Sequence, residues 1–306
     1  MPQSDVELVA TTWAGLLYVA TTPKPASYFS GRKGYNPAFL GENAKVDLPE
    51  FSDQILDEEI SRLNDGTFEL KYHHFSTAQC ATRRVPFYSA CNINGTSLIS
   101  LPRHDIWSYD GRIPTKHQML KESYGPQQDK KFSRGHMTRR QDPNWDTMAI
   151  AKQANIDTFF ATNACPQWQP FNDGIWGDLE DYILHNAGND RKLICVFTGP
   201  FLYDNDPDRH NVQIPCDFWK VVAFISEATQ ELAAIGYVMS QREYLATGVA
   251  ADLENFEMSQ RPLSYIEQES RLSFTELREA DVLAGADLAF VQPIRKVSDT
   301  ALPQKQ

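Results

Sequence analysis

Three short segments constrain this chain more than anything else in it. They are Phe132-Ser133-Arg134-Gly135-His136-Met137-Thr138-Arg139-Arg140, then Thr162-Asn163-Ala164-Cys165-Pro166-Gln167, then Asn172-Asp173-Gly174-Ile175-Trp176. The first sets a glycine and a histidine in a strand-like run. The backbone can therefore approach a ligand closely beside a side chain whose unperturbed pKa lies near neutrality. From Asn172 to Asn186 the apolar spacing predicts a helix, with Ile175, Leu179, Tyr182 and Ile183 set for burial. Asn172, Trp176 and Glu180 follow at steps of four, which on one helix places all three on one face, so that an amide and a carboxylate can point into the same space.

These residue types suit phosphodiester hydrolysis, which needs a base to make the nucleophile and a cation to hold the developing charge. His136 is a suitable base. A hard cation such as Mg²⁺ takes oxygen ligands and needs only one or two protein contacts. Asn172 can supply its carbonyl, and Glu180 can accept hydrogen bonds from the ion's water shell. Spacing alone leaves blander readings open: Asn at a helix start is an ordinary N-cap, and a histidine in a strand is often a hydrogen-bonded structural residue.

The combination resembles the DNA/RNA non-specific endonucleases of the ββα-metal, or His-Me finger, class. In that family a D-R-G-H segment carries the general base, an S/T-N-x-x-P-Q segment follows, and N-x-x-x-W-x-x-L-E supplies a metal-binding asparagine and a supporting glutamate. Here Arg134-Gly135-His136, Thr162-Asn163 with Pro166-Gln167, and Asn172 with Trp176, Leu179 and Glu180 stand in that order. Val196-Phe197-Thr198-Gly199-Pro200, Ile214-Pro215 with Phe218-Trp219-Lys220, and Tyr265-Ile266-Glu267 through Leu272-Ser273-Phe274 extend the match from about Gly34 to Asp281.

The resemblance implies a metal-dependent, sequence-non-specific endonuclease acting on DNA and RNA and leaving 5′-phosphate ends. His136 would be the general base and Asn172 the Mg²⁺ ligand, with Mn²⁺ as a substitute. Glu180 would support the ion, and Arg103 would meet the scissile phosphate, as a guanidinium suits spread charge. Asn163 would orient the His136 loop or the substrate, and Arg134, Arg139, Arg140 and Gln167 would contact nucleic acid. Ser133 departs from the pattern, standing where most relatives have Asp, and offers a weaker, neutral hydrogen bond. That departure motivates a second expectation, a degenerate nuclease that binds nucleic acid or regulates. A third, a thiol hydrolase built on Cys165, lacks any histidine ordered beside it in the sequence.

Along the chain, Ser52 to Leu63 is read as an amphipathic helix with Ile55, Ile60 and Leu63 inward. Phe68 to Phe75, Phe87 to Ile93, Arg191 to Phe197, Phe218 to Ser226 and Leu232 to Ser240 read as strands, with a hairpin turn at Asn92 to Gly95. An α+β domain with a central antiparallel sheet flanked by helices accommodates them. His73 and His74 are adjacent, so on a strand they face opposite sides and read as structural. The domain is expected over residues 33–290, between an N-terminal extension of residues 1–32, broken by Pro23-Lys24-Pro25, and a flexible tail of residues 291–306.

The formal charge is −11, yet residues 81–150 hold eleven Lys or Arg against six Asp or Glu, a locally basic stretch on an acidic body. Such a patch can bind phosphate with salt-sensitive steering. Five dispersed cysteines without a CxxC pair argue against a disulfide framework or zinc knuckle. No signal peptide or membrane span is read near Met1, so a cytoplasmic setting is the default expectation. A promiscuous nuclease inside a cell needs restraint, which suggests a defence or toxin effector governed by an inhibitor, an activator or homo-oligomer assembly.

Overall fold

The computed structural model describes residues 18–19, 22–104, 106–121, 124, 132–190, 192–209, 211–247, 258–287 and 292–294. In chain order the principal strands are β1 (Leu70–Lys71), β2 (Phe75–Gln79), β3 (Pro86–Asn94), β4 (Phe132–His136) and β5 (Ala164–Trp168). They continue with β6 (Leu193–Pro200), β7 (Asp217–Ile225), β8 (Leu232–Ser240), β9 (Met258–Arg261) and β10 (Gln292–Ile294). β4 and β5 pair with each other. The other eight form one sheet in the order β10-β9-β8-β7-β6-β3-β2-β1, antiparallel throughout. The helices are α1 (Met148–Asp157), α2 (Gln169–Asp173), α3 (Ile175–Asn189), α4 (Arg242–Thr247) and α5 (Leu263–Ser270).

Both faces of the sheet are covered, so its central strands are buried at consecutive positions, as Phe218 to Phe224 are in β7. Strand alternation then sorts them. Phe218, Val222 and Phe224 join Trp176, Leu179 and Ile183 of α3 in one core. Trp219, Val221 and Ala223 join Tyr35, Val46, Ile55 and the α5 residues Leu263 and Ile266 in the other. The mixed architecture with a central antiparallel sheet is the one expected.

Local readings fare unevenly. Leu232–Ser240 is the strand read from the sequence. The run Phe68 to Phe75 instead splits into β1 and the start of β2, with His73 and His74 between them. The helix expected over Ser52 to Leu63 contracts to a π-helical turn, Ile55–Glu59, although Ile55 and Ile60 are buried as the pattern required. No hairpin forms at Asn92 to Gly95: β3 stays paired with β6 through Asn94, and the Gly95 amide donates to the Lys192 carbonyl at 2.9 Å. Gly95 is there for close approach, since a Cβ would lie 1.8 Å from the Ala187 carbonyl oxygen.

Contacts are described at both ends of the expected domain. Residues 1–17, 20 and 21 of the anticipated extension lie outside the described residues, but its remainder packs on the body. Tyr18 and Val19 pair in parallel with Ile106 and Trp107. The Lys24 amide donates to the Tyr109 carbonyl at 3.0 Å, and the Gly111 amide to that of Lys24 at 2.8 Å. Phe29 is buried against Tyr72 and Phe160, and Arg32 pairs with Asp157 at 3.2 Å. At the other end, Gln292–Ile294 forms edge strand β10, and the rest of the expected tail lies outside the described residues. No helix among the described residues is long and apolar enough to cross a membrane.

Candidate active site

The β4–β5 hairpin brings the first two sequence segments together. Ser133 faces Gln167, Gly135 faces Cys165 and His136 faces Ala164. Gly135 has to be glycine because a Cβ would lie 1.9 Å from Gln167 Oε1. Asn163, fully buried, acts as a surrogate strand partner for the residues after His136. Its Oδ1 accepts from the Thr138 amide at 2.8 Å, and its Nδ2 donates to the Thr138 and Thr158 carbonyls at 2.9 and 3.0 Å. The Met137 amide donates to the Asn163 carbonyl at 2.9 Å. The backbone that carries His136 is thus clamped on its C-terminal side.

The His136 ring packs against Trp107 and Phe159, each with centroids 4.8 Å away. Its Nε2 is buried and has no hydrogen-bond partner. Burial, followed by the charges of Arg103, Arg140 and Arg139, holds the imidazole well below the ordinary histidine range. It is therefore neutral at neutral pH and able to accept a proton. Arg103 is exposed, and its guanidinium lies 5.4 Å over the Phe159 ring that His136 touches.

The other arginines are tied down. Arg139 pairs with Asp181 of α3, and Arg140 Nη1 donates to the Leu101 carbonyl at 2.8 Å. Arg134 was expected to contact nucleic acid, but its Nε and Nη2 donate to the Leu120 carbonyl at 2.9 and 2.5 Å, with the guanidinium 4.6 Å over Tyr124. Gln167, expected in the same role, is fully buried beneath Gly135. Without nucleic acid, the Arg134 guanidinium is engaged by the Leu120 carbonyl and the Gln167 side chain lies against Gly135.

α2 and α3 follow β5 directly. The single helix read over Asn172 to Asn186 is broken at Gly174 (φ −96°, ψ −120°), so Asn172 lies in the last turn of α2 while Trp176 and Glu180 sit in α3. The four-residue periodicity thus holds for Trp176 and Glu180 but does not pass through the break to Asn172. Asn172 is half-buried, and its Nδ2 donates to Asp173 Oδ1 at 3.0 Å, which leaves its own Oδ1 as an acceptor. It makes no cap: the residues preceding α2 and α3 are Trp168 and Gly174.

Glu180 is mostly buried, and its Oε1 lacks a hydrogen bond. Burial raises its carboxyl above the usual range, and Lys220 and Arg139 pull it back. Nearby Asp142 is also buried, and burial with the Glu180 charge pushes it up to about 7. No cluster of three or more His, Cys, Asp or Glu suited to a metal occurs among the described residues. Asn172 Oδ1 and the buried, unbonded Glu180 Oε1 are each oxygen donors of the kind a hard, largely hydrated cation takes.

Two tempting sites dissolve. His73 Nδ1 bonds Asp157 Oδ2 at 2.8 Å, while His74 Nδ1 bonds the Pro143 carbonyl at 2.9 Å and its ring stacks on Trp145. They are structural, as expected. Cys165 is fully buried, and burial drives its thiol well above the ordinary range, which removes it as a nucleophile. Residue-level reading missed Trp107, Phe159, Asp142 and Lys220 as neighbours of the site. Only Lys220 carried a signal, a cation inside an apolar strand run.

A family model for DNA/RNA non-specific endonucleases matches residues 56–279. An uncharacterized protein, y4fB, from Sinorhizobium fredii is 34% identical over 92% of this chain and 44% of its own length. A nuclease from Nostoc sp. is 27% identical over 57% of the chain and 61% of its length. The mitochondrial nuclease EXOG of Mus musculus is 24% identical over 63% of the chain and 54% of its length. The chain thus spans about half the length of these curated relatives. A solved structure of the EndoG/EndoGI complex shares the fold, with a TM-score of 0.51 and 19% identity over 68% of this chain and 85% of that one. With the matched region enclosing the His136 hairpin, α3 and every strand of the central sheet but the edge strand β10, the chain belongs to the DNA/RNA non-specific endonuclease family.

Proposed function

We propose that the chain is a metal-dependent, sequence-non-specific endonuclease for DNA and RNA, with the β4–β5 hairpin and the α2–α3 unit forming a ββα-metal active site. The observation that carries this reading is His136: a neutral imidazole on a clamped strand, with Nε2 unpartnered and arginine charge around it. His136 takes a proton from water as the water oxygen attacks phosphorus in line. The bond to the 3′ oxygen breaks and that oxygen takes up a proton from solvent water, leaving a 5′-phosphate and a 3′-hydroxyl end. Arg103, exposed beside the ring, stabilises the charge spread over the phosphoryl oxygens.

Asn172, through Oδ1, and Glu180 are the residues that would hold Mg²⁺ or Mn²⁺. When bound, the ion supplies positive charge against the pentacovalent phosphorus and the departing oxygen. Asn163 positions His136, and Arg139 and Arg140 add positive charge to its surroundings. Ser133 donates from Oγ to the Gln167 carbonyl at 3.2 Å, a neutral bond inside the hairpin. The EndoG structure named above is a complex that describes EndoG inhibition; restraint of this chain by an inhibitor protein is part of the proposal.

The test is digestion of plasmid DNA and of RNA by wild type and His136→Ala in Mg²⁺, Mn²⁺ or EDTA. Metal-dependent cleavage by wild type, reduced at least about 1,000-fold in the variant, is expected. Nucleic-acid binding without turnover, unchanged by Ser133→Asp, would instead favour a degenerate, binding-only protein.

A further inference from the structure

Lys220 lies mid-strand in β7 with 1% of its surface exposed, on the sheet face that packs under α3. Strand register sets Ser89 of β3 beside Thr198 of β6, and Thr198 beside Lys220, which makes a polar row across a face otherwise lined by Val196, Phe218 and Val222. Lys220 Nζ donates to Thr198 Oγ1 at 2.8 Å and lies 4.8 Å from the Trp176 ring centroid. At the row's other end, the Ser89 and Thr138 hydroxyls are 2.5 Å apart. Thr138 is the residue Asn163 clamps, two positions after His136.

A buried ammonium has to find a counter-charge. Here it is Glu180, whose Oε1 stands 3.6 Å from Nζ. That separation gives attraction without a hydrogen bond, so Oε1 keeps its acceptor capacity. The other charged groups around Glu180 are Arg139, which follows β4, Asp142 beyond it, and Asp181, the next residue of α3 and the partner of Arg139. Arg139 shares its charge between Glu180 and its hydrogen-bonded partner Asp181, whereas Lys220 acts on Glu180 more strongly and is the cation anchored to the sheet.

We propose that Lys220 is a positioning residue for the Glu180 carboxylate: fixed by Thr198 and Trp176, its ammonium holds that carboxylate in place for the cation while leaving its acceptor oxygen open. The inference rests on the role given to Glu180 above. A lysine with only a packing role would be replaceable by an apolar residue of similar length.

The experiment compares wild type, Lys220→Met, Thr198→Val, Glu180→Gln and the Lys220→Met/Glu180→Gln double variant. Mn²⁺ binding is measured by titration calorimetry without nucleic acid, and plasmid cleavage as kcat, KM and pH profile. Melting curves check folding. The expected result for Lys220→Met is Mn²⁺ affinity and kcat each lower by about 10- to 100-fold, with KM little changed. No further loss appears in the Glu180→Gln background. Thr198→Val, which keeps the charge but loosens its anchor, shows the same pattern at about tenfold or less and carries the test if Lys220→Met does not fold.

Wild-type Mn²⁺ affinity and kcat in the folded Lys220 or Thr198 variant, with Glu180→Gln impaired, would overturn the inference and leave the Glu180 reading standing. Independent, additive losses in the double variant would overturn it as well. A fully active Glu180→Gln would remove both.

Discussion

Arg103 bears on His136 in two ways, as a candidate phosphate ligand and as a charge that lowers the basicity of the imidazole. Burial is the larger cause of that lowering and Arg103 the next. Since the lowered value keeps the ring neutral, a reaction that needs neutral His136 persists as pH falls through the ordinary histidine range and fails only below it. Arg103→Ala removes one positive neighbour, so the His136 value rises and the acidic limb of kcat/KM moves to higher pH. The rate itself falls about 100-fold or more if the guanidinium also meets the phosphate. A pH–rate profile of the variant separates the two effects. At this scale the motifs singled out His136, Asn163, Asn172 and Glu180, and the fold does set Asn163 as the clamp of the strand that carries His136. What escaped were roles fixed by neighbours distant in sequence. Nothing local places the Leu120 carbonyl at Arg134 or Gly135 against Gln167, and nothing local links Trp107 to the His136 ring.

Secondary structure positions the site through two tight features, the Gly135–Gln167 contact and the break at Gly174. Gly135→Ala forces a Cβ into the Gln167 side chain, and overpacking of this kind costs about 1–3 kcal/mol. A thermal or denaturant melt should show that loss, with activity falling in parallel because His136 is the next residue. The long central strands were readable because both sheet faces are apolar and β-rich runs such as Phe218 to Ile225 have few rival conformations. The shorter elements were not. A four-residue periodicity runs unmarked through Gly174, since a glycine permits a break without demanding one. The split between β1 and β2 is likewise held by partners elsewhere in the fold, Asp157 for His73 and Trp145 for His74.

Across the described residues, two cores on either side of one sheet tie residues 22–32 to the segment that precedes Asn163. Phe29 packs on Tyr72 and Phe160, three residues before Asn163, so Phe29→Ala should cost about 3–5 kcal/mol by chemical denaturation although it lies far from His136 in sequence. The sequence could not show this, because residues 22–32 contain a proline-broken stretch without periodicity and dock through single side chains. The same packing bears on how the protein can be handled. A fragment trimmed to residues 56–279, the stretch that defines its kinship, would keep every proposed catalytic side chain. It would lose Phe29 from one core and Tyr35, Val46 and Ile55 from the other. Such a piece would expose apolar surface on both flanks of the sheet and aggregate, so the smallest stable unit in this chain is larger than its recognisable part.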